Sequence, residues 1–195
     1  GPVQKSMEFQ TAMAKVGTIA DTNIVPLSQM QKEIINLSNA LGVNASTVAE
    51  DVYNAISAGQ KTSDAVAFVE KATMLAKGGF AETGQALDVL TTILNAYGME
   101  SSKTEEISNM LITTQNRGKV TVAELSSVMG KVIPTANANN VALEQLCAGY
   151  SIMTARGIAA AESTTYMNSM LNELGKSGTS ADKALRQAAG KGFSE

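Results

Sequence analysis

Chain breakers recur along this sequence at nearly even intervals, and that spacing limits what the chain can fold into. Glycine stands at 42, 59, 78, 98, 118, 157 and 175, and the pair Asn139-Asn140 fills the wide gap between 118 and 157. Glycine costs a helix interior roughly 1 kcal/mol relative to alanine and enters left-handed backbone freely; asparagine visits that region too. The chain is thereby cut into segments of about twenty residues, room for a helix of about four turns and a short connection. Such punctuation favours helices that fold back on one another over a continuous rod.

Each segment carries a helical apolar stripe. Met30, Ile34, Leu37 and Leu41 form the first clear face, and Val48, Val52, Ala55 and Ile56 the second. Ala65, Phe68, Val69, Ala72 and Ala76 follow, then Ala86, Val89, Leu90, Ile93, Leu94 and Tyr97, then Ile107, Met110, Leu111 and Thr114. The best-formed stripe, Leu125, Val128, Met129, Val132, Ile133 and Ala136, has offsets of 0, 3, 4, 7, 8 and 11, one face of an α-helix. Leu143, Leu146, Cys147, Tyr150 and Thr154 make the next, and Ala160, Thr164, Met167, Leu171 and Leu174 the last. Neither sustained period-2 alternation nor an Asn-Gly or Asp-Gly hairpin occurs. The expectation is an all-α fold, an irregular multi-helix bundle or short helical-hairpin array of about 8–10 helices with no sheet.

Local signals refine the boundaries. Thr121 with Glu124, Ser28 with Gln31, and Thr47 with Glu50 have capping-box spacing, and Ser63, Thr83 and Thr104 read as N-caps. Pro134 is expected to end or kink the central helix near Ile133, with Asn137, Asn139 and Asn140 making the turn after it. Residues 1–27 read as the scar of a cleaved tag (Gly1-Pro2), a weak helix over 3–20 and an extended linker over 22–26. Residues 28–175 are the helical domain, and 176–195 a flexible tail with one short helix near 181–189. The chain reads as a fragment of a longer polypeptide.

Composition removes several classes of function. With 44% hydrophobic and 17% charged residues the chain should fold, and with aromatics at 4% its core must come from Ala, Leu, Ile, Val and ten Met. The 15 Lys and Arg are scattered and the net charge is −3, so no dedicated nucleic-acid face is present. No apolar run reaches the roughly 18 residues that cross a bilayer. The absence of histidine removes the commonest general base and most zinc and non-haem iron sites. Cys147 lies on an apolar face and reads as a buried, inert thiol.

The remaining patterns lack their partners. Ser180-Ala181-Asp182-Lys183 has the S-x-x-K spacing of serine acylases without the accompanying motifs, so a cap is the simpler reading. Gly79 and Gly84 are spaced as in a phosphate loop, yet Gln85 and Ala86 stand where Lys and Ser/Thr are needed. Asn44-Ala45-Ser46 has glycosylation spacing, but Asn44 is better read as a helix cap. Glu105-Glu106 suits the positive end of a helix, and Arg156 and Glu162 bracket the Gly157 turn as a surface pair. No catalytic, cofactor-binding or metal-ligating residue is assigned, and no cofactor is expected.

Gly130-x-x-x-Pro134-x-Ala136, a polar turn, Leu143-Glu144-x-Leu146, and Gly157-Ile158 before a helix ending Leu171-x-x-Leu174 resemble the conserved helical domain of phage tail tape measure proteins. Upstream, Ala49-x-x-Val52-x-x-Ala55-Ile56-Ser57-Ala58-Gly59 is similar to the segment that opens that domain, and Lys71-Ala72 and Gly78 also fit. The likeness covers roughly residues 37–174. It departs at Ala159-Ala160-Ala161-Glu162, where the family has a polar, Gly-containing turn, and at Lys176-Ser177-Gly178, where the family has proline.

The resemblance implies a structural protein of a long-tailed phage or prophage, not an enzyme. It would set tail length during tail assembly and leave the tail tube ahead of the DNA. Tail tube, baseplate and tail-assembly chaperone proteins are the implied partners, with DNA contacted only indirectly and membranes only through parts of the full chain outside this fragment. The implied location is the tube interior of the virion, and the host bacterial cytoplasm during assembly. The alternative is a helical-repeat protein–protein interaction scaffold with no phage role. A tail peptidoglycan hydrolase would need paired carboxylates in a cleft or a metal site, and neither pattern occurs.

Overall fold

The computed structural model describes residues 6–195 of the chain. Among them there are eleven α-helices: α1 (Met7–Ile19), α2 (Leu27–Leu41), α3 (Ala45–Ser57), α4 (Ala65–Gly78), α5 (Thr83–Ala96), α6 (Thr104–Arg117), α7 (Val122–Val128), α8 (Ile133–Ala138), α9 (Leu143–Ala155), α10 (Ala160–Gly175) and α11 (Ser180–Ala189). Two 3₁₀ turns, Ser101–Lys103 and Met129–Lys131, complete them, and no strand occurs among the described residues. Gly1-Pro2 and the start of the first segment at Val3 lie outside the described residues.

Short connections fold successive helices back on one another and sort them into two facing rows. One row runs α1, α3, α5 and α7; the other runs α2, α4, α6 and α9. α10 closes the far end against α9, α7 and α8, and α11 rests on α10. The stripes read from the sequence meet between the rows. Met30, Ile34, Phe68, Leu90, Ile93, Leu94, Ile107, Leu111, Leu125, Met129, Ile133 and Tyr150 are fully buried. Only residues at stripe edges, Leu41, Ile56, Tyr97, Met110 and Leu174, are half-buried.

Local expectations fared unevenly. The Thr121–Glu124 box forms: Glu124 N donates to Thr121 Oγ1 at 3.1 Å, and Thr121 N to Glu124 Oε1 at 3.3 Å. α2 begins at Leu27 behind Pro26, so Ser28 lies inside its first turn and does not cap it. α3 is capped by Asn44, whose Oδ1 accepts from Ser46 N at 2.9 Å, so Thr47 and Glu50 form no box. The flanks of α4, α5 and α6 are Asp64, Glu82 and Lys103, one residue from the expected caps at Ser63, Thr83 and Thr104. At α5 the first amides are served from within the helix, as Glu82 N donates to Gln85 Oε1 at 2.9 Å.

Two larger corrections concern the central helix and the first connection. The central helix breaks at Val128, passes through the 3₁₀ turn and resumes at Ile133 with Pro134 in its first turn. Proline therefore opens α8 instead of ending α7, because a first-turn N–H has no intrahelical acceptor to lose. Asn137 belongs to α8, while Asn140 takes the left-handed turn at φ 58°. Residues 22–26 form a turn, not an extended linker: Val25 N donates to Asp21 O, Asp21 N donates to Thr62 Oγ1 at 2.8 Å, and Val25 is buried. The last helix is tied back as well. Thr179 Oγ1 caps it through Asp182 N, and Asn140 Nδ2 donates to Ser194 O at 2.6 Å.

Buried threonines supply much of the polar content of the core. The hydroxyls of Thr73, Thr91, Thr114, Thr154 and Thr164 each donate to the carbonyl four residues back in their own helix, at 2.7–2.9 Å. Burial thus leaves none of these donors unmatched. Between helices, Tyr150 and Thr164 share one buried hydroxyl–hydroxyl bond of 2.5 Å, and burial pushes the Tyr150 phenol up to about 12.

The rows are pinned where α4 ends, α6 passes and α7 begins. Gln115 donates from Nε2 to Gly78 O at 3.0 Å and accepts from Val122 N at 2.9 Å. Ala123 N reaches Gly79 O at 3.3 Å. Glycine at 79 is dictated by this approach, since a β-carbon there would sit 2.5 Å from Val122 Cβ and 2.9 Å from Leu75 O. Gly79→Ala is expected to cost about 1–3 kcal/mol through overpacking, read as a fall in thermal midpoint of roughly 3–10 °C for a chain of this size. Gly84→Ala, which meets nothing within 4 Å, should hold or raise the midpoint.

Candidate functional site

Each pattern weighed for chemistry in the sequence is placed by the structure in a local structural role. Ser180 is the first residue of α11, preceded by its cap Thr179. The Gly79–Gly84 segment closes α4 and opens α5, with Gly79 N donating to Leu75 O at 2.8 Å and Ala81 N to Ala76 O at 3.0 Å. Asn44 spends its side-chain oxygen on Ser46, accepting from the backbone N at 2.9 Å and from Oγ at 2.7 Å. Glu105 and Glu106 lie in the first turn of α6, and Lys103 Nζ meets Glu106 Oε2 at 3.3 Å on the surface. Glu162 accepts from the Tyr166 hydroxyl at 2.7 Å, and no ion pair joins it to Arg156 among the described residues.

Cys147 is buried on α9, where loss of hydration pushes its thiol up, partly offset by a hydrogen bond with Thr114. Asp51 on α3 is the acid most perturbed upward, to about 6, first by burial and then by the neighbouring charge of Glu50. No group of three or more His, Cys, Asp or Glu placed to hold a metal ion occurs among the described residues. No helix among them is long and apolar enough to cross a membrane.

The features that sequence reasoning missed are surfaces. α4, α6 and α9 lie side by side, leaving a groove on each flank of α6. The groove between α6 and α9, about 530 Å³, is lined by Met110, Thr113, Ala148, Ser151 and Ile152. The one between α4 and α6, about 410 Å³, is lined by Ala67, Met74, Glu105, Ser108 and Ile112. Met74 and Ile152 remain 61% and 57% exposed, and the Ser108 hydroxyl has no hydrogen-bond partner. Phe80 is 77% exposed with left-handed backbone at φ 55°, a conformation that costs a non-glycine residue roughly 1–2 kcal/mol. Its sequence neighbourhood, glycines at 78 and 79, marks a turn but does not tell which residue takes the positive φ.

Asp51 yields a pH test. Its folded pKa lies above its ordinary value of 3.8, so between about 4 and 6 the folded chain binds more protons than the unfolded one. Stability therefore falls as pH rises through that window. Asp51→Asn should raise the thermal midpoint at pH 7, and the difference from the parent chain should vanish below about pH 4. The thiol gives a second test. Cys147 should stay unlabelled by a disulfide reagent at pH 8 over a time in which urea-unfolded chain is labelled fully.

Over 96% of its length the chain is similar, at 38% identity, to a probable tape measure protein of Clostridium phage phiCD119. Over 92% it is similar, at 21% identity, to a tape measure protein of Pneumococcus phage Dp-1. The alignments span 21% and 16% of those two proteins, so the chain corresponds to about one fifth of the length of the curated relatives it matches. No solved structure matches it. The model of one family, described as phage-related minor tail protein, matches residues 31–194, from within α2 to beyond α11. A reading without any phage connection, a bare helical-repeat scaffold, has no support in these relatives. The chain belongs to the phage-related minor tail protein family.

Proposed function

We propose that the chain is a folded module of a phage tape measure protein, a structural part of the tail whose parent sets tail length during assembly and leaves the tube ahead of the DNA. The carrying observation is 38% identity to a probable tape measure protein across nearly the whole chain. The work is mechanical, without a catalytic step: no histidine is present, and the buried threonines of the core bond to carbonyls of their own helices. Tail tube, baseplate and tail-assembly chaperone proteins are the proposed partners. The virion tail is the proposed site of action, reached from the host cytoplasm during assembly.

The two-row fold supports a role for this segment other than spanning length. As one continuous helix, 195 residues would reach roughly 290 Å; folded, they occupy a body with a radius of gyration of about 16 Å. The ruler therefore belongs to other parts of the parent, with this module as a compact body on it. The proposed folded unit includes α1, which lies outside the matched residues 31–194 but buries Phe9, Ala12, Met13 and Val16 in the shared core.

In-frame deletion of this module from the parent gene, with tails measured by electron microscopy, tests the reading. The expected result is failed tail assembly, or tails shortened by much less than the roughly 290 Å of an equivalent helix. Shortening by that full amount overturns the compact-module reading. Tail length that ignores deletions anywhere in the parent overturns the tape measure reading itself.

A further inference from the structure

We propose that the outer face of α4, α6 and α9 is the contact surface of a symmetric dimer, covered by a second copy of this chain laid on it with its helices antiparallel. The proposal rests on the fold and is independent of the tail assignment.

The three helices lie side by side and point the same way. The C-termini of α4 and α6 meet where Gln115 Nε2 donates to Gly78 O, and those of α6 and α9 where Lys119 N donates to Thr154 Oγ1 at 3.1 Å. Acids stand at the N-terminal edge of this face and bases at the C-terminal edge. Glu105 and Arg117 are twelve residues apart on α6, and Glu144 and Arg156 are twelve apart at the two ends of α9, about 18 Å along a helix. None of the four belongs to an ion pair among the described residues. Helix dipoles favour the same placement, so the ends alone do not identify a partner. The surface between them does.

Read outward, each stripe is the complement of itself in reverse. On α9 the exposed Ala148 and Ile152 stand four residues in from Glu144 and from Arg156. On α4 the exposed pair is Ala67 and Met74, with Glu70 and Lys71 between them. On α6 Asn109 and Thr113 are exposed and uncharged, four residues in from Glu105 and from Arg117. A two-fold axis lying in the contact plane and crossing the helices near mid-length sets each stripe against its own copy. Ile152 of one copy then covers Ala148 of the other, Met74 covers Ala67, Glu70 meets Lys71, and acidic ends lie over basic ends. Each contact occurs twice, as isologous pairing requires. A copy turned so that the helices ran parallel would set Glu105 on Glu105 and Arg117 on Arg117, which like-charge repulsion disfavours.

The size of the face agrees. Helices of 14, 14 and 13 residues are about 20 Å long and pack about 10 Å apart, so the face offers roughly 600 Å² a side. The total of about 1,200 Å² falls at the lower bound of specific interfaces, which suits a dimer that forms and dissociates.

Sedimentation velocity on the intact chain tests this. A monomer–dimer equilibrium with a dissociation constant on the order of 10 µM is expected. Ile152→Asp should weaken it at least about tenfold while leaving the helical signal and the thermal midpoint near those of the parent chain. Arg117→Glu and Glu105→Arg should each weaken it by about tenfold or more, because each sets like charges together. Mixing those two variants should restore association to the parent level, and so should both changes in one chain. A chain that stays monomeric up to about 300 µM, some thirtyfold above the expected constant, overturns the proposal. So does an assembly other than a dimer, one that ignores Ile152→Asp, or charge variants that fail to rescue each other on mixing.

Discussion

The contact that organises this molecule is the one where three helix segments come within backbone distance. At Gly79 the end of α4 approaches the start of α7 so closely that no side chain fits between, and Gln115 of α6 bonds to both. Each helix alone is too short to be stable in water and gains most of its stability from the stripe it buries. Joining them at their ends sets the angle at which those stripes meet. The rows then fill with Leu, Ile, Val, Ala and Met, residues without polar demands of their own. A second approach, at Gly118 against Ser151 Cα of α9, fixes the same C-terminal end of α6 against α9, since a β-carbon there would stand 3.0 Å away.

The stripes were legible in the sequence because helical periodicity is a local property: a residue three or four positions on faces the same way whatever the helix packs against. Caps were less legible. Ser28 and Thr47 have the right chemistry, but Pro26 and Asn44 lie upstream of them and start the helices at Leu27 and Ala45. The break at Val128 was misplaced for a similar reason. Pro134 is a strong signal for a boundary, yet the sequence alone does not tell whether proline closes one helix or opens the next.

The functional reading was legible to a different degree. That the chain has no histidine is a statement about residue types, which the sequence carries in full. The grooves beside α6, the exposed Phe80 and the docking of α1 on α3 depend on which helices become neighbours, and no local pattern specifies that. The family relationship supplies the biological setting, and the compactness of the fold is a property of the helix packing alone.

The threonines of the core bear on how such a body behaves when pulled. Because Thr73, Thr91, Thr114, Thr154 and Thr164 hand their protons to carbonyls within their own helices, prising two neighbours apart orphans none of those donors. Resistance to separation comes mainly from greasy surface, which is non-directional and reforms in many alignments. A module joined this way has few polar matches between helices to recover when it closes again, the Gln115 clasp and the Tyr150–Thr164 bond among them.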